Sequence, residues 1–293
     1  MTPFAEAVER VWPGRHARVE VLGGGITNHN LKVEVGGETF VLRIAGKDTD
    51  LLGIDRAVEL AATRSAAALG IGPEVVTFVK PEGWLVTRFV DGEIPPLARM
   101  REPDLLARVA RALRAFHDGP AIPGTFDSFR VVEDYGRIAA ERGGEIPAAF
   151  DWAREIARRM EQRRRGAEAP VCCHNDLLNA NFLDDGEHLR IVDWEYAGMG
   201  DRFFDLANFS INHELDCEAS AALLAAYFGA VRPEDARALE LMRFMSDFRE
   251  AMWGVVQSAV SELDFDFRAY AAEHFERLRR TAATQGFQAA LDA

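Results

Sequence analysis

Val171-Cys172-Cys173-His174-Asn175-Asp176-Leu177-Leu178-Asn179-Ala180-Asn181-Phe182-Leu183 places an Asp, and five positions later an Asn, inside a short apolar frame. That is the spacing of a phosphotransferase catalytic loop, in which a carboxylate orients a hydroxyl and an amide oxygen helps to hold a metal ion. A second acidic signal follows at Ile191-Val192-Asp193-Trp194-Glu195. Together the two stretches point to transfer of a phosphoryl group from a nucleotide, and they leave the acceptor unnamed. Asp176 is the candidate base. Asn181 and Asp193 are the candidate magnesium ligands, because hard oxygen donors suit an ion that is shared with phosphates. Glu195 falls on the same side as Asp193 if the backbone between them is extended. His174 reads as a structural histidine whose ring bonds the loop backbone, and Asp205 as a tether of the same loop from below. Alone, Asp-x-x-x-x-Asn is weak, since an Asp can cap its own turn and Asn is an ordinary turn residue. Its neighbours decide the reading.

Upstream, the pattern predicts a short helix over residues 4–12 and strands at Val19–Leu22, Leu31–Val35 and Thr39–Ile44, with Gly36-Gly37 as a tight turn. Gly23-Gly24-Gly25-Ile26-Thr27-Asn28 joins the first two strands. Strand–glycine loop–strand is hairpin geometry, unlike the strand-to-helix setting of a Rossmann or Walker loop. Gly24 and Gly25 let backbone amides approach phosphate oxygens, and Thr27 and Asn28 add donors. On the third strand, alternation sets Phe40, Leu42 and Ile44 on one face and Val41 and Arg43 on the other. Val41 is placed to cover a nucleobase and Arg43 to reach phosphates with its fork of donors. Glu59, on a helix predicted over 55–69, is the expected ion-pair partner of Arg43. Strands at Val75–Val79 and Gly83–Val90 complete a small antiparallel lobe.

After Asp91-Gly92 the chain turns helical. Helices are predicted at Leu105–His117, Ala148–Glu161, 217–228, 234–258 and 267–285, with short strands at Val171–Cys173, Asn181–Leu183 and Leu189–Val192. The expected lobe boundary is at residues 90–91, with a ligand cleft between the lobes.

The 293 residues suffice for two lobes, and 48% apolar with 28% charged residues is ordinary globular composition. A net charge of −13 argues against nucleic acid or an anionic membrane as partner. Cys172 and Cys173 are adjacent, make a poor zinc site or disulfide, and read as buried small apolar residues in a reducing cytoplasm. No signal peptide and no run of about 18 apolar residues stands out, so a soluble chain without a membrane span is expected. Oligomeric state is not fixed. Lysine is confined to Lys32, Lys47 and Lys80, so arginine must do the work at phosphate.

The order Gly-Gly-Gly-Ile-Thr-Asn, Val-Leu-Arg-Ile, His-Asn-Asp-Leu-Leu-Asn-Ala-Asn-Phe-Leu and Val-Asp-Trp-Glu-Tyr resembles the choline/ethanolamine kinase branch of the aminoglycoside-phosphotransferase-like kinases, over nearly the whole chain. Arg at position 43 and Asp193-Trp194-Glu195-Tyr196 carry the branch assignment, as does the segment from Met252-Trp253-Gly254 to Tyr270. The resemblance implies an α+β, bilobal protein-kinase-like fold with a small antiparallel-sheet N-lobe (1–90) and a mainly helical C-lobe (91–293). It implies ATP- and Mg2+-dependent phosphorylation of a small cationic amino alcohol such as choline or ethanolamine. By the same resemblance Asp176 is the base, Asn181 and Asp193 are the metal ligands, and Glu195 is an acidic contact near metal or acceptor. Thr87–Val90, with Thr87 and Phe89, is the hinge that meets adenine, and Tyr196, Trp253 and Tyr270 line the acceptor pocket. Two positions depart from the family pattern. Glu250 stands where a second pocket Trp is expected, and the usual acidic position falls on Asn212, with Glu214 nearby. Thiamine and aminoglycosides are alternative acceptors, and a catalytically idle nucleotide-binding regulator is the alternative of another class.

Overall fold

A computed structural model describes residues 4–23, 28–47, 49–167 and 169–293. Five strands form one antiparallel sheet: β1 (Ala17–Leu22), β2 (Asn28–Val35), β3 (Glu38–Ala45), β4 (Val75–Val79) and β5 (Trp84–Arg88), in the order β1-β2-β3-β5-β4. The β2–β3 turn has positive φ at both Gly36 and Gly37, which residues with a Cβ rarely adopt. Alternation buries Leu31, Val33, Val35, Phe40 and Leu42 on one face, against Val8 of helix α1 (Ala5–Val11). The opposite face carries Val41, Arg43 and Thr87 toward a cavity. Helix α2 (Arg56–Ala68) starts where the Asp55 side chain accepts from the Ala57 and Val58 amides. Its Ala62 and Ala66 pack into the same apolar core as the helices that follow.

Those helices are α3 (Pro103–His117), α4 (Ser128–Glu141), α5 (Ala149–Arg164), α6 (Arg202–Asn212), α7 (Cys217–Phe228), α8 (Pro233–Val260), α9 (Phe267–Ala282) and α10 (Gln285–Asp292). Two small hairpin-like pairings are set among them. β6 (Val171–Cys173) pairs with β9 (Gly198–Gly200), and β7 (Phe182–Asp184) with β8 (Leu189–Ile191). The architecture is therefore the expected mixed one, a five-stranded antiparallel sheet followed by a mostly helical remainder. Among the described residues no helix is long and apolar enough to cross a membrane.

Four elements differ from expectation. α6 was absent from the predicted pattern: Phe203 through Ile211 are all buried, the polar Asp205 and Asn208 included, so no face of it is solvated as an amphipathic helix's would be. α4 carries Gly136 at its centre, where a Cβ would lie 3.0 Å from the Phe150 ring. β9 is three residues long with glycine at both ends. The run predicted over 267–285 is two helices, because Thr284 turns the chain and its hydroxyl accepts from the Phe287 amide. Cys172 and Cys173 are buried as anticipated, and Cys217 is exposed at the start of α7.

Candidate active site

The loop between β6 and β7 is fastened from α6. Asp205 is buried and accepts from the His174 amide at 2.8 Å and the Asn175 amide at 2.7 Å. It also meets His117 Nε2 at 3.0 Å, while His117 Nδ1 is 2.7 Å from the Tyr227 hydroxyl. One turn on, Asn208 Oδ1 accepts from the Leu177 amide and its Nδ2 donates to Ser246. One further turn on, Asn212 Nδ2 donates to the Leu177 carbonyl at 3.3 Å. The i, i+3, i+7 spacing thus presents Asp205, Asn208 and Asn212 to the loop from one face of the helix. Asn175 takes a left-handed φ of 68°, and its side-chain Nδ2 donates to the Tyr196 carbonyl at 3.0 Å.

His174 has the structural role anticipated for it. Its Nδ1 accepts from the Asp176 amide at 3.2 Å, so Nε2 carries the proton and donates to the Val192 carbonyl at 3.0 Å. Burial lowers its pKa, in keeping with a neutral ring. The contact joins this loop to the residues just before Asp193.

Asp176, Asn181 and Asp193 come together at this junction. Burial pushes the Asp176 carboxyl up to about 8; Arg249 opposes the shift and Glu250 adds to it. Asn181 spends its Nδ2 on the Asp176 carbonyl at 2.8 Å, which leaves its oxygen as the donor for a ligand, and it lines the cavity. Asp193 has φ 66° and an ion pair with Arg43 Nη2 at 2.7 Å. Burial raises its pKa to about 6, with Arg43 opposing.

Asp193 is left-handed rather than extended. Glu195 still faces the charge cluster around Asp193 and Arg43, and its Oε2 receives Asn28 Nδ2 at 2.8 Å and Arg56 Nη1 at 3.2 Å.

Arg43 bridges Asp193 and Glu59, the partner anticipated for it. Burial works against its charge, but Asp193, Glu59 and Glu195 hold its pKa above the ordinary value. Glu59 is fully buried and also accepts from Arg56 Nη1 at 2.7 Å. Arg56 ties the group together, with Nη2 reaching Asn28 Oδ1 at 3.0 Å. Gly24, Gly25 and Thr27 lie outside the described residues. Beside this network opens a cavity of about 690 Å³, lined by Val41, Arg43, Glu59, Thr87, Phe89, Asn181 and Asp193 among others. Phe89 is covered on one side by Lys32, whose Nζ is 4.4 Å from the ring centroid.

Tyr196, Glu250, Trp253 and Tyr270 also converge. Trp253 Nε1 donates to the Tyr196 hydroxyl at 3.0 Å, and the Tyr270 hydroxyl donates to Glu250 Oε2 at 2.8 Å. Burial works against the Glu250 charge, but Arg249 and His274 hold its pKa below the usual carboxyl value. Two residues in the site were not singled out from sequence, Arg56 and Arg249. A signal existed for each: an Arg three residues before Glu59 on the helix, and an Arg-Glu pair between Phe248 and Ala251-Met252-Trp253.

A sequence profile of the phosphotransferase enzyme family matches residues 18–241. A probable ethanolamine kinase of Arabidopsis thaliana is 26% identical over 288 residues, covering 86% of this chain and 76% of that one. The crystal structure of a choline/ethanolamine kinase family protein from Mesorhizobium loti superposes with a TM-score of 0.84 at 32% identity, over 99% of this chain and 98% of that one. A structure of LicA in complex with AMP superposes with a TM-score of 0.78 at 21% identity, over 97% of this chain and 96% of that one.

Proposed function

The chain belongs to the phosphotransferase enzyme family, in its choline/ethanolamine kinase branch, and on that premise we propose that it moves the γ-phosphoryl group of ATP, with Mg2+, to the hydroxyl of a small cationic amino alcohol. It is a small-molecule kinase; choline and ethanolamine are the acceptors this reading names. Residues 1–90 serve as the nucleotide lobe and 91–293 carry the catalytic loop, metal ligands and acceptor wall.

One observation carries the reading. Asp176, Asn181 and Asp193 meet between a cavity of about 690 Å³ and the wall of Tyr196, Glu250, Trp253 and Tyr270. That volume lies within the range of small-ligand pockets, roughly 300–1,000 Å³. In it, Val41 and the Thr87–Phe89 backbone flank the base, and Arg43 stands over the phosphates. Asp176 takes the acceptor hydroxyl proton as the oxygen bonds to γ-phosphorus. The bond from γ-phosphorus to the bridging oxygen breaks, and its electron pair leaves with ADP. Arg249, with Nη1 3.4 Å from Asp176 Oδ1, favours the ionised carboxylate, the form that accepts the proton.

The residues fit a magnesium ion. Asn181 and Asp193 offer hard oxygen donors on the cavity wall, with Arg43 2.7 Å from Asp193 Oδ1. Bound there, the ion would neutralise charge on the phosphate oxygens. Glu195 supports the metal side through Asn28 and Arg56. Asn212 supports the loop. A cytoplasmic setting suits the buried thiols of Cys172 and Cys173, which burial pushes toward the protonated form.

The test is Mg2+- and ATP-dependent ADP release against choline, ethanolamine, thiamine and aminoglycosides. Turnover above the ATPase background is expected with an amino alcohol. Turnover only with thiamine or an aminoglycoside overturns the acceptor class. Nucleotide binding with no acceptor turnover overturns the enzyme reading in favour of an idle regulator.

A further inference from the structure

Arg249 is a charged side chain with 1% exposure, carried on the long helix α8. Its Nη1 lies 2.6 Å from Glu250 Oε1 and 3.4 Å from Asp176 Oδ1. Its guanidinium carbon stands 4.3 Å from the centroid of the Tyr196 ring. The Tyr135 hydroxyl, which donates to the Leu52 carbonyl at 3.0 Å, keeps its lone pairs on the Arg249 side. A cation belonging to the chain therefore already sits on the ring face and between the two carboxylates that an acceptor ammonium would use.

The chemistry of the two classes of amine then separates. A quaternary ammonium has no N–H, so it depends on aromatic faces. The Tyr196 face is covered by Arg249. The Trp253 ring is engaged edgewise with Phe267 at 5.7 Å and Tyr270 at 5.5 Å. A primary ammonium brings three N–H donors and can use the lone pairs of Asp176 and Glu250 that one guanidinium nitrogen leaves over, since a carboxylate accepts at about four sites. We propose that Arg249 is a specificity-determining residue that excludes quaternary ammonium acceptors and reserves the site for hydroxyl acceptors bearing a primary amine. This inference rests on the amino-alcohol reading of the site.

The test is calorimetric titration of ethanolamine and of choline into the protein with Mg2+ and a non-hydrolysable ATP analogue, for wild type, Arg249→Met and Arg249→Lys, with kcat/KM for both amines alongside. Wild type is expected to favour ethanolamine by about tenfold or more, the scale of one lost cation–π contact. Arg249→Met uncovers the ring, and the ratio should shift toward choline by about tenfold. Arg249→Lys, a point cation without the flat stacking surface, should shift it the same way by less, and serves if the Met variant does not fold. A wild type that prefers choline, or a ratio unchanged in folded variants, overturns the proposal. Ethanolamine bound with an unchanged ratio leaves the amino-alcohol reading standing and removes Arg249's role. Neither amine bound by any protein removes both.

Discussion

Replacing Asp205 by Ala removes the acceptor that holds the catalytic loop. Three donors lose their partner at once: the His174 amide at 2.8 Å, the Asn175 amide at 2.7 Å and His117 Nε2 at 3.0 Å. All three are buried, so water does not replace the carboxylate. A hydrogen bond to a charged group contributes about 1.5–3 kcal/mol, and donors sharing one acceptor are not additive, so the loss is about 5 kcal/mol. That is a third or more of a typical folding free energy of about 5–15 kcal/mol. For a chain of this size about 1 kcal/mol moves Tm by roughly 2 °C, so Asp205→Ala should melt about 10 °C below wild type. Asp205→Asn retains one acceptor oxygen but turns an NH₂ group toward another donor, and should lose about half as much. Scanning calorimetry on the three proteins measures both. A fall of less than about 2 °C in Asp205→Ala would refute the view that α6 anchors the loop through this carboxylate.

Two further outcomes are expected. His213 is buried, donates from Nδ1 to the Phe209 carbonyl at 2.8 Å and has no partner at Nε2; burial pushes its pKa down to about 4. The unfolded chain takes that proton near the ordinary pKa of about 6.5, so the stability from the neutral ring is full above about pH 6.5 and is lost as pH falls toward 4, up to about 3 kcal/mol. Melting of wild type and His213→Gln across that window should show a flatter pH dependence in the variant, and parallel curves would contradict the assignment. Arg43→Lys replaces a fork that reaches Glu59 and Asp193 together with a point charge that reaches one of them. ATP-analogue affinity or kcat should fall about tenfold or more, and a variant within twofold of wild type in both would show that the fork is dispensable.

The sheet was legible in the sequence because Leu31, Val33 and Val35, then Phe40 and Leu42, alternate cleanly between a buried and a facing side. The partnership of Arg43 with Glu59 followed from the same alternation and one turn of helix. α6 was hidden for a different reason: it is buried on every side, and its polar positions Asp205, Asn208 and Asn212 serve the loop rather than solvent, although Asp205 was recognised as the loop's tether. Nothing local announces that Asp193 is left-handed or that Glu195 meets Asn28 and Arg56, residues far from it in sequence. Asn212, weighed as an acceptor contact, donates to the Leu177 carbonyl beneath the loop. Arg56 and Arg249 went unmarked because a charge on a helix ordinarily reads as a solvated face. Only the folded chain puts Arg56 beside Glu195 and Arg249 beside Asp176.

In the proposed reaction Asp176 accepts the proton of a small hydroxyl acceptor during phosphoryl transfer. Single-turnover phosphorylation by Asp176→Asn, with ATP and the best acceptor of the wild type, isolates that step when ATP-analogue affinity is measured on the same protein. A rate lower by about a hundredfold or more is expected, the scale of general-base loss, with nucleotide affinity within about threefold of wild type. A variant that phosphorylates at more than about a tenth of the wild-type rate would contradict it.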